Sequence, residues 1–253
     1  MTSSTSSDSR RDRPARFDLL RSFLAIARDP EETSHGARLV ITIDRHQMER
    51  NFQRFADAPE GARILSGAPS LYDLLTDRAS LGALPEGSLG RTYLEFMQRE
   101  GISTEALDAE VAPVELEILG ADPDRRRFHQ HMRASHDLWH VLTGYHRDLF
   151  GEMQVLVFSH SQTGSRAFGW IARMARFGAA RQIPGGRQLL ELARKRGESS
   201  QWLAAVAWAP LLAEPIDDVR RCLGIGPPPS YTRYVRAASG FGLVPEEQAA
   251  LPN

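Results

Sequence analysis

Apolar residues recur every three or four positions along most of this chain, the spacing of amphipathic α-helices. Phe17, Leu20, Leu24 and Ala27 form one such stripe ahead of Pro30. Further helices are predicted at about 36–56, at two short stretches within 58–90, after Ser88, and at about 123–142, 152–164, 165–181, 184–195 and 216–223. We therefore predict an all-α fold.

Two stretches fit more than one structure. The run Leu39–Ile43 is rich in β-branched residues and is compatible with a strand as well as a helix. Residues 103–123 fit a short strand, a helix or an irregular link. The run Pro227-Pro228-Pro229 predicts an extended segment, because proline cannot continue a helix.

The predicted domain organisation is simple. Residues 1–15 are rich in Ser, Arg and Asp, with almost no apolar residue to offset the entropy cost of ordering. We expect a disordered tail there, followed by a single helical domain over residues 16–253 with a metal-binding helix–turn–helix at its centre.

Composition narrows the class of protein. The chain has 31 basic and 32 acidic residues, so no net field favours nucleic acid as a partner. The single cysteine, Cys222, excludes an internal disulfide framework. No apolar run approaches the roughly 20 residues that span a bilayer, and no secretory signal is evident, so we expect a cytoplasmic protein. The basic helix predicted at 165–181 is compatible with binding to a membrane surface and equally with packing of one face against the rest of the protein.

Residues 136–152, HDLWHVLTGYHRDLFGE, carry the candidate chemistry. His136 and His140 are four residues apart and share one helix face, close enough to hold one metal ion. Glu152 would lie about 18 Å further along an unbroken helix, beyond the reach of that ion. Gly144 and Gly151 bracket a polar segment where the chain can reverse. The sequence thus predicts a helix–turn–helix that gathers His136, Asp137, His140 and Glu152.

Imidazole and carboxylate suit a divalent ion such as zinc, although two histidines at this spacing also fit a simple hydrogen-bonded pair. A polar stripe on the same helix contains Arg126, His129, Arg133, His136 and His140. Arginines so placed can hold a substrate carboxylate or phosphate, or pair with acids on neighbouring helices.

Several motifs resemble the coenzyme Q (ubiquinone) biosynthesis protein 4 family. The pattern His136-Asp137-x-x-His140-x11-Glu152 is similar to that family's zinc-ligand signature. Matching motifs also occur at Leu84-Pro85-x-x-Ser88-Leu89-Gly90 with Tyr93 and Phe96, at Arg133, at Gly151, at Gln162-Thr163-Gly164, and at Val219-Arg220 with Leu223-Gly224-Ile225. The similar region covers much of residues 84–229.

This resemblance implies a largely helical fold and a metal ion, Zn²⁺ or another divalent ion such as Fe²⁺, held by His136, Asp137, His140 and Glu152. It implies that these residues and Arg133 remove the C1 carboxylate of a polyprenylated 4-hydroxybenzoate-type precursor, with or without hydroxylation. It also implies that the protein acts together with other ubiquinone biosynthesis proteins, in peripheral contact with the inner face of the membrane. A homodimer is compatible with the apolar helix faces.

Two other functions fit the same residues. In the first, the metal is structural, and the apolar helices bind the prenyl tail of an intermediate and present that intermediate to the enzymes of a complex. In the second, the HDxxH pattern marks a metallohydrolase, with a shorter acid where zinc proteases carry glutamate.

Overall fold

The structure is a computed structural model that describes residues 30–236 and 243–249. The predicted tail at 1–15 and the helix predicted from Phe17 lie outside these ranges. The described part is helical apart from one two-stranded sheet. The predicted all-α class is confirmed, whereas the single-domain organisation over 16–253 stays a prediction.

The elements follow one another with short connections. The helices are α1 (Pro30–Asp57), α2 (Pro59–Leu65), α3 (Leu71–Thr76), α4 (Arg78–Gly82), α5 (Leu89–Glu100), α6 (Thr104–Leu119), α7 (Pro123–Thr143), α8 (Leu149–Thr163), α9 (Arg166–Phe177), α10 (Gly186–Ser199), α11 (Trp208–Leu211), α12 (Ile216–Cys222) and α13 (Glu246–Ala249). Short 3₁₀ turns cover Ala179–Arg181 and Leu203–Ala205. The sheet pairs β1 (Tyr234–Arg236) with β2 (Leu243–Pro245) in antiparallel register, Val235 opposite Val244.

The structure resolves the ambiguous stretches in favour of helix. Leu39–Ile43 lies inside α1, and residues 104–119 form α6 with Pro113 in its interior. Ser88 caps α5 as predicted, since its side chain accepts a hydrogen bond from the backbone N–H of Arg91 at 3.3 Å. The helix predicted to open at Pro184 begins at Gly186, and the one predicted to run to 181 ends at Phe177. The triple-proline run is non-helical, as expected.

The main apolar core surrounds α7 and α8. Leu138, Leu142, Phe150 and Phe158 from these helices are fully buried, together with Trp208 from α11. Helix α8 packs along both α10 and α9. Because α8 is apolar on several sides, it lies inside the helical assembly and fixes the position of Glu152, near its first turn.

His131 is a buried polar residue of α7 that binds two neighbouring segments. Its Nδ1 accepts a hydrogen bond from the Leu71 N–H at 3.1 Å, and its Nε2 lies 3.0 Å from the Ala204 carbonyl oxygen, to which it donates. The Phe55 ring lies against it at 5.2 Å. Burial lowers the pKa of His131, and likewise that of His129, to about 4. Both imidazoles are therefore neutral in the folded protein.

These two histidines predict acid lability. Their ordinary pKa is about 6.5, so between pH 6.5 and 4 the unfolded chain binds protons that the folded chain does not. The free energy of unfolding should fall across that interval as the pH is lowered, by about 3 kcal/mol per histidine. Urea unfolding from pH 7 to pH 4 measures the slope. His131→Gln should reduce it and the exposed His46→Gln should not, while an equal slope in the His131 variant would contradict this explanation.

Candidate metal centre

The chain reverses between α7 and α8, as the glycine pattern predicts. Helix α7 ends at Thr143, and Gly144 adopts a left-handed conformation with φ of +73°. Asp148 opens α8 by accepting hydrogen bonds from the N–H groups of Phe150 and Gly151, both at 3.2 Å. A Cβ at position 151 would lie 2.0 Å from the His146 carbonyl oxygen, so this close return of the chain requires glycine. The reversal brings Glu152 beside the histidines.

His136, His140 and Glu152 form the candidate metal centre. Each offers one ligand atom, and these atoms all lie within 4.8 Å of one another. His140 Nε2 is 3.4 Å from Glu152 Oε2, a spacing that one ion with bonds of about 2.1 Å to both atoms can bridge. The helix–turn–helix thus brings together three of the four predicted ligands.

The orientation of His140 fits a metal ligand. Its Nδ1 lies 2.9 Å from the Tyr145 carbonyl oxygen and donates to it, which leaves the Nε2 lone pair facing Glu152. His140 is 1% exposed, and its Nε2 has no hydrogen-bond partner within the described residues. A buried imidazole nitrogen with a free lone pair beside a second imidazole and a carboxylate suits a divalent ion.

The charges of His140 and Glu152 are coupled. Burial alone lowers the pKa of His140, but the Glu152 carboxylate beside it raises that pKa above its ordinary value. Burial in turn raises the pKa of Glu152, and the positive His140 overcomes this and lowers it. Arg147 adds a further cation, with its Nε 3.7 Å from Glu152 Oε1. The pair therefore favours a cation between the two side chains, whether a proton or a metal ion.

Asp137 lies outside the group of three. It is 8% exposed, and its Oδ1 is 3.7 Å from Nδ1 of His136. A carboxylate next to a ligand imidazole supports the basicity of that ligand. The assignment of Asp137 as a fourth ligand stays a prediction.

Arg133 is held by two acids of α6. Its guanidinium pairs with Glu115, and its Nε donates to Asp108 Oδ1 at 3.1 Å. Arg125 similarly donates to Glu49 of α1 at 2.8 Å. Of the two uses considered for arginines of the polar stripe, Arg133 forms pairs with acids on a neighbouring helix. The role of Arg133 in catalysis stays a prediction.

A cavity of about 340 Å³ lies against the metal centre, a volume typical of ligand pockets. His136 and Glu152 form part of its wall, beside Arg133 and Glu115. The rest is mainly apolar and comes from α1, α6, α7, α8 and α9, with Ile41, Val111, Met132, Leu156, Phe168 and Ile171 among the lining residues. The sequence does not reveal this cavity, because it forms only where five separate helices meet.

Fold and site together define an all-helical protein with a two-helix His/His/Glu centre in the wall of an apolar cavity. The family described as "Coenzyme Q (ubiquinone) biosynthesis protein Coq4" matches residues 18–229. The chain belongs to this Coq4 family, which confirms the resemblance seen in its motifs.

Curated relatives agree with the family. A protein of Aspergillus terreus named "Ubiquinone biosynthesis protein coq4, mitochondrial" is 31% identical over 176 residues, which cover 68% of this chain and 58% of the relative. A protein of the same name from Yarrowia lipolytica is 30% identical over 173 residues, which cover 68% of this chain and 63% of the relative. The chain thus matches about three fifths of the length of these relatives.

A solved structure has the same fold. The crystal structure of a protein from Nostoc punctiforme PCC 73102, provisionally assigned to ubiquinone biosynthesis, superposes with a TM-score of 0.57 at 18% identity. The match covers 84% of this chain and 95% of that one. Within residues 30–236 and 243–249, no helix of this chain is long and apolar enough to cross a membrane.

The metal centre predicts a graded effect of ligand substitutions. His140→Ala and Glu152→Gln should lose the bound ion, because each removes one of three converging ligands. Asp137→Asn should retain one equivalent with affinity weakened by about tenfold, as for a residue next to a ligand. Metal content after exposure to Zn²⁺ and extensive dialysis measures this.

His160→Ala is the matched control for His140→Ala. His160 Nδ1 lies 2.8 Å from the Ser165 carbonyl oxygen, the same arrangement that His140 makes with Tyr145, but His160 is outside the candidate ligand group. This variant should keep its metal. Equal metal content in His140→Ala and His160→Ala would contradict the site.

Proposed function

We propose that this protein acts in ubiquinone biosynthesis as a metal-dependent decarboxylase, removing the C1 carboxylate of a polyprenylated 4-hydroxybenzoate-type precursor. The observation that carries the proposal is the continuity of an apolar cavity with the His136/His140/Glu152 centre. A substrate with an apolar tail and a polar aromatic head matches such a site. The tail would lie in the cavity, and the head would lie beside the three metal ligands. Membership of the Coq4 family supports the pathway.

The number of ligands favours a catalytic ion. Structural zinc sites have four protein ligands, whereas catalytic sites have three and keep one position for water or substrate. With Asp137 outside the converging group, His136, His140 and Glu152 leave such a position. His136, whose side chain is 32% exposed, lines the cavity.

The bound ion would supply Lewis-acid stabilisation for an oxygen anion of the substrate. The residues around the ion would provide the other contributions to catalysis. Loss of CO₂ leaves the electron pair of the C1–carboxylate bond on the ring, and a proton must replace the carboxylate at C1. The apolar walls exclude water from the head group and strengthen its electrostatic contacts.

Arg133 is the candidate to hold the substrate carboxylate. It lines the cavity one helical turn before His136. Burial raises the pKa of Glu115, which makes its charged carboxylate a less stable partner for the arginine. A substrate carboxylate can then take the place of Glu115 on the guanidinium fork. Hydroxylation at C1 would need dioxygen as the oxidant, acting either with a redox ion such as Fe²⁺ or directly on an electron-rich intermediate, since Zn²⁺ has no redox chemistry.

The alternative is a non-catalytic scaffold that holds the prenyl lipid for other ubiquinone biosynthesis proteins, with a structural zinc. The cavity supports lipid binding in either case, and only turnover separates the two functions. A homodimer remains an expectation.

The assay is ¹⁴CO₂ release from short-chain prenylated 4-hydroxybenzoate carrying a labelled carboxylate, with and without oxygen. Val111→Trp, which fills the cavity, should abolish turnover and weaken substrate binding at least tenfold while metal content stays unchanged. Leu116→Trp is the matched control, because Leu116 lies on the same helix and is 45% exposed. Lipid binding by the metal-loaded protein with no CO₂ release in either atmosphere would favour the scaffold.

Peripheral membrane contact is the proposed role of α9. Its exposed face carries Arg166, Arg173 and Arg176, and its last residue, Phe177, is 54% exposed. Basic side chains beside an exposed aromatic suit an anionic lipid surface. Arg173→Glu with Arg176→Glu should reduce cosedimentation with phosphatidylglycerol vesicles severalfold. Arg78→Glu with Arg99→Glu changes net charge equally on other helices, and equal losses in both double variants would assign the effect to charge alone.

A further inference from the structure

The last turn of α7, which carries His140, has an unusual cap. The final four carbonyl groups of a helix lack partners within the helix. Here the Gly144 N–H donates to the His140 carbonyl at 2.9 Å. Arg220 of α12 donates to the carbonyls of Val141 and Leu142, at 2.9 and 2.8 Å. Arg196 of α10 donates to the Thr143 carbonyl at 2.9 Å. All four carbonyls are thereby satisfied, three of them by arginine side chains.

Arg196 is a buried arginine whose hydrogen-bond acceptors are carbonyl groups. It is 6% exposed, forms no ion pair within the described part of the chain, and directs its other donors to the carbonyls of Ile225 and Gly226. A buried, unpaired cation is costly unless several acceptors or a dipole compensate it. The carboxyl end of α7 provides that compensation, because helix C-termini carry partial negative charge. Arg196 thus acts on the end of α7 through carbonyl groups, and Arg220 acts on it in addition to pairing with Asp217.

The capped turn leads directly to the group that orients His140. Two residues after Thr143, the Tyr145 carbonyl accepts the proton on His140 Nδ1. The Arg196 guanidinium also lies over the Tyr145 ring, 5.1 Å from its centre. Any movement of residues 143–145 therefore moves the acceptor that selects the His140 tautomer.

We infer that Arg220 and Arg196 are positioning residues for the metal centre: by capping α7 they hold the Tyr145 carbonyl on His140 Nδ1 and keep Nε2 as the free ligand atom. The inference rests on the proposed metal site. It also assigns a task to the closing Val219-Arg220 and Leu223-Gly224-Ile225 motifs, since Arg220 caps the metal helix directly and the Ile225 carbonyl holds Arg196.

The test compares Arg220→Gln with Arg221→Gln. The two arginines are neighbours in α12, and each pairs with an aspartate three residues earlier, Arg220 with Asp217 at 2.7 Å and Arg221 with Asp218 at 2.8 Å. Only Arg220 reaches α7, and the Arg221 side chain is 76% exposed. Both variants lose one positive charge and one such ion pair. A difference between them therefore reports the loss of the α7 cap.

Two readouts separate positioning from general stabilisation. Zn²⁺ affinity, measured by competition with a chelator, should fall about 10- to 100-fold in Arg220→Gln and stay within about twofold in Arg221→Gln. In the metal-free protein, at a pH high enough to keep His140 neutral, ¹⁵N NMR should show His140 protonated on Nδ1 in wild type and Arg221→Gln, and a mixture of tautomers in Arg220→Gln. Arg220→Lys, whose single ammonium has fewer donors for the two carbonyls, should lie between wild type and Arg220→Gln in both readouts and provides a milder variant should Arg220→Gln fail to fold.

The outcomes distinguish the inference from the function on which it rests. Unchanged affinity and tautomer in Arg220→Gln and Arg220→Lys, even with a lower melting temperature, would show that the cap is merely structural and would overturn the inference while leaving the metal site intact. If wild type binds no metal, the proposed function fails. The tautomer measurement on the metal-free protein still decides whether the arginines orient His140.

Discussion

The metal centre depends on one reversal of the chain, at residues 144–148, which returns Glu152 to the face that carries His136 and His140. Along a continuous helix Glu152 would be out of reach, so the site exists only as long as this turn keeps its shape. The turn is fixed from both sides. Asp148 accepts hydrogen bonds from the first N–H groups of α8 and from Tyr231 at 2.9 Å, and the arginines of α10 and α12 cap the end of α7. Segments distant in sequence therefore stabilise the geometry of three ligands.

Placing this centre beside an apolar cavity has an electrostatic consequence. Imidazole and carboxylate side chains lose hydration there, and the coupled pKa shifts of His140 and Glu152 show that each stabilises the charged form of the other. A divalent ion can replace the shared proton. The same apolar surroundings suit a prenyl tail, so the metal centre and the cavity support a single proposal.

Much of this arrangement is readable from the sequence. Local features are predicted correctly, because each of them depends on residues that are close in sequence. They are the helix that carries His136 and His140, its end at Gly144, and the N-cap formed by Ser88. The cavity, the pairing of Arg133 with Asp108 and Glu115, and the capping by Arg196 and Arg220 depend on contacts between distant helices. Residues 103–123 are compatible with several structures, so the sequence alone does not place the acids of α6 beside Arg133. The short β1–β2 pair likewise depends on tertiary packing.

The most direct measurement is a crystal structure of the metal-loaded protein with anomalous diffraction collected on both sides of the zinc and iron absorption edges. We predict one anomalous peak about 2.0–2.2 Å from His140 Nε2, with Glu152 and His136 as the other protein ligands. The edge at which the signal appears identifies the ion. A peak located elsewhere, or none at this site in protein shown to contain metal, would contradict the account.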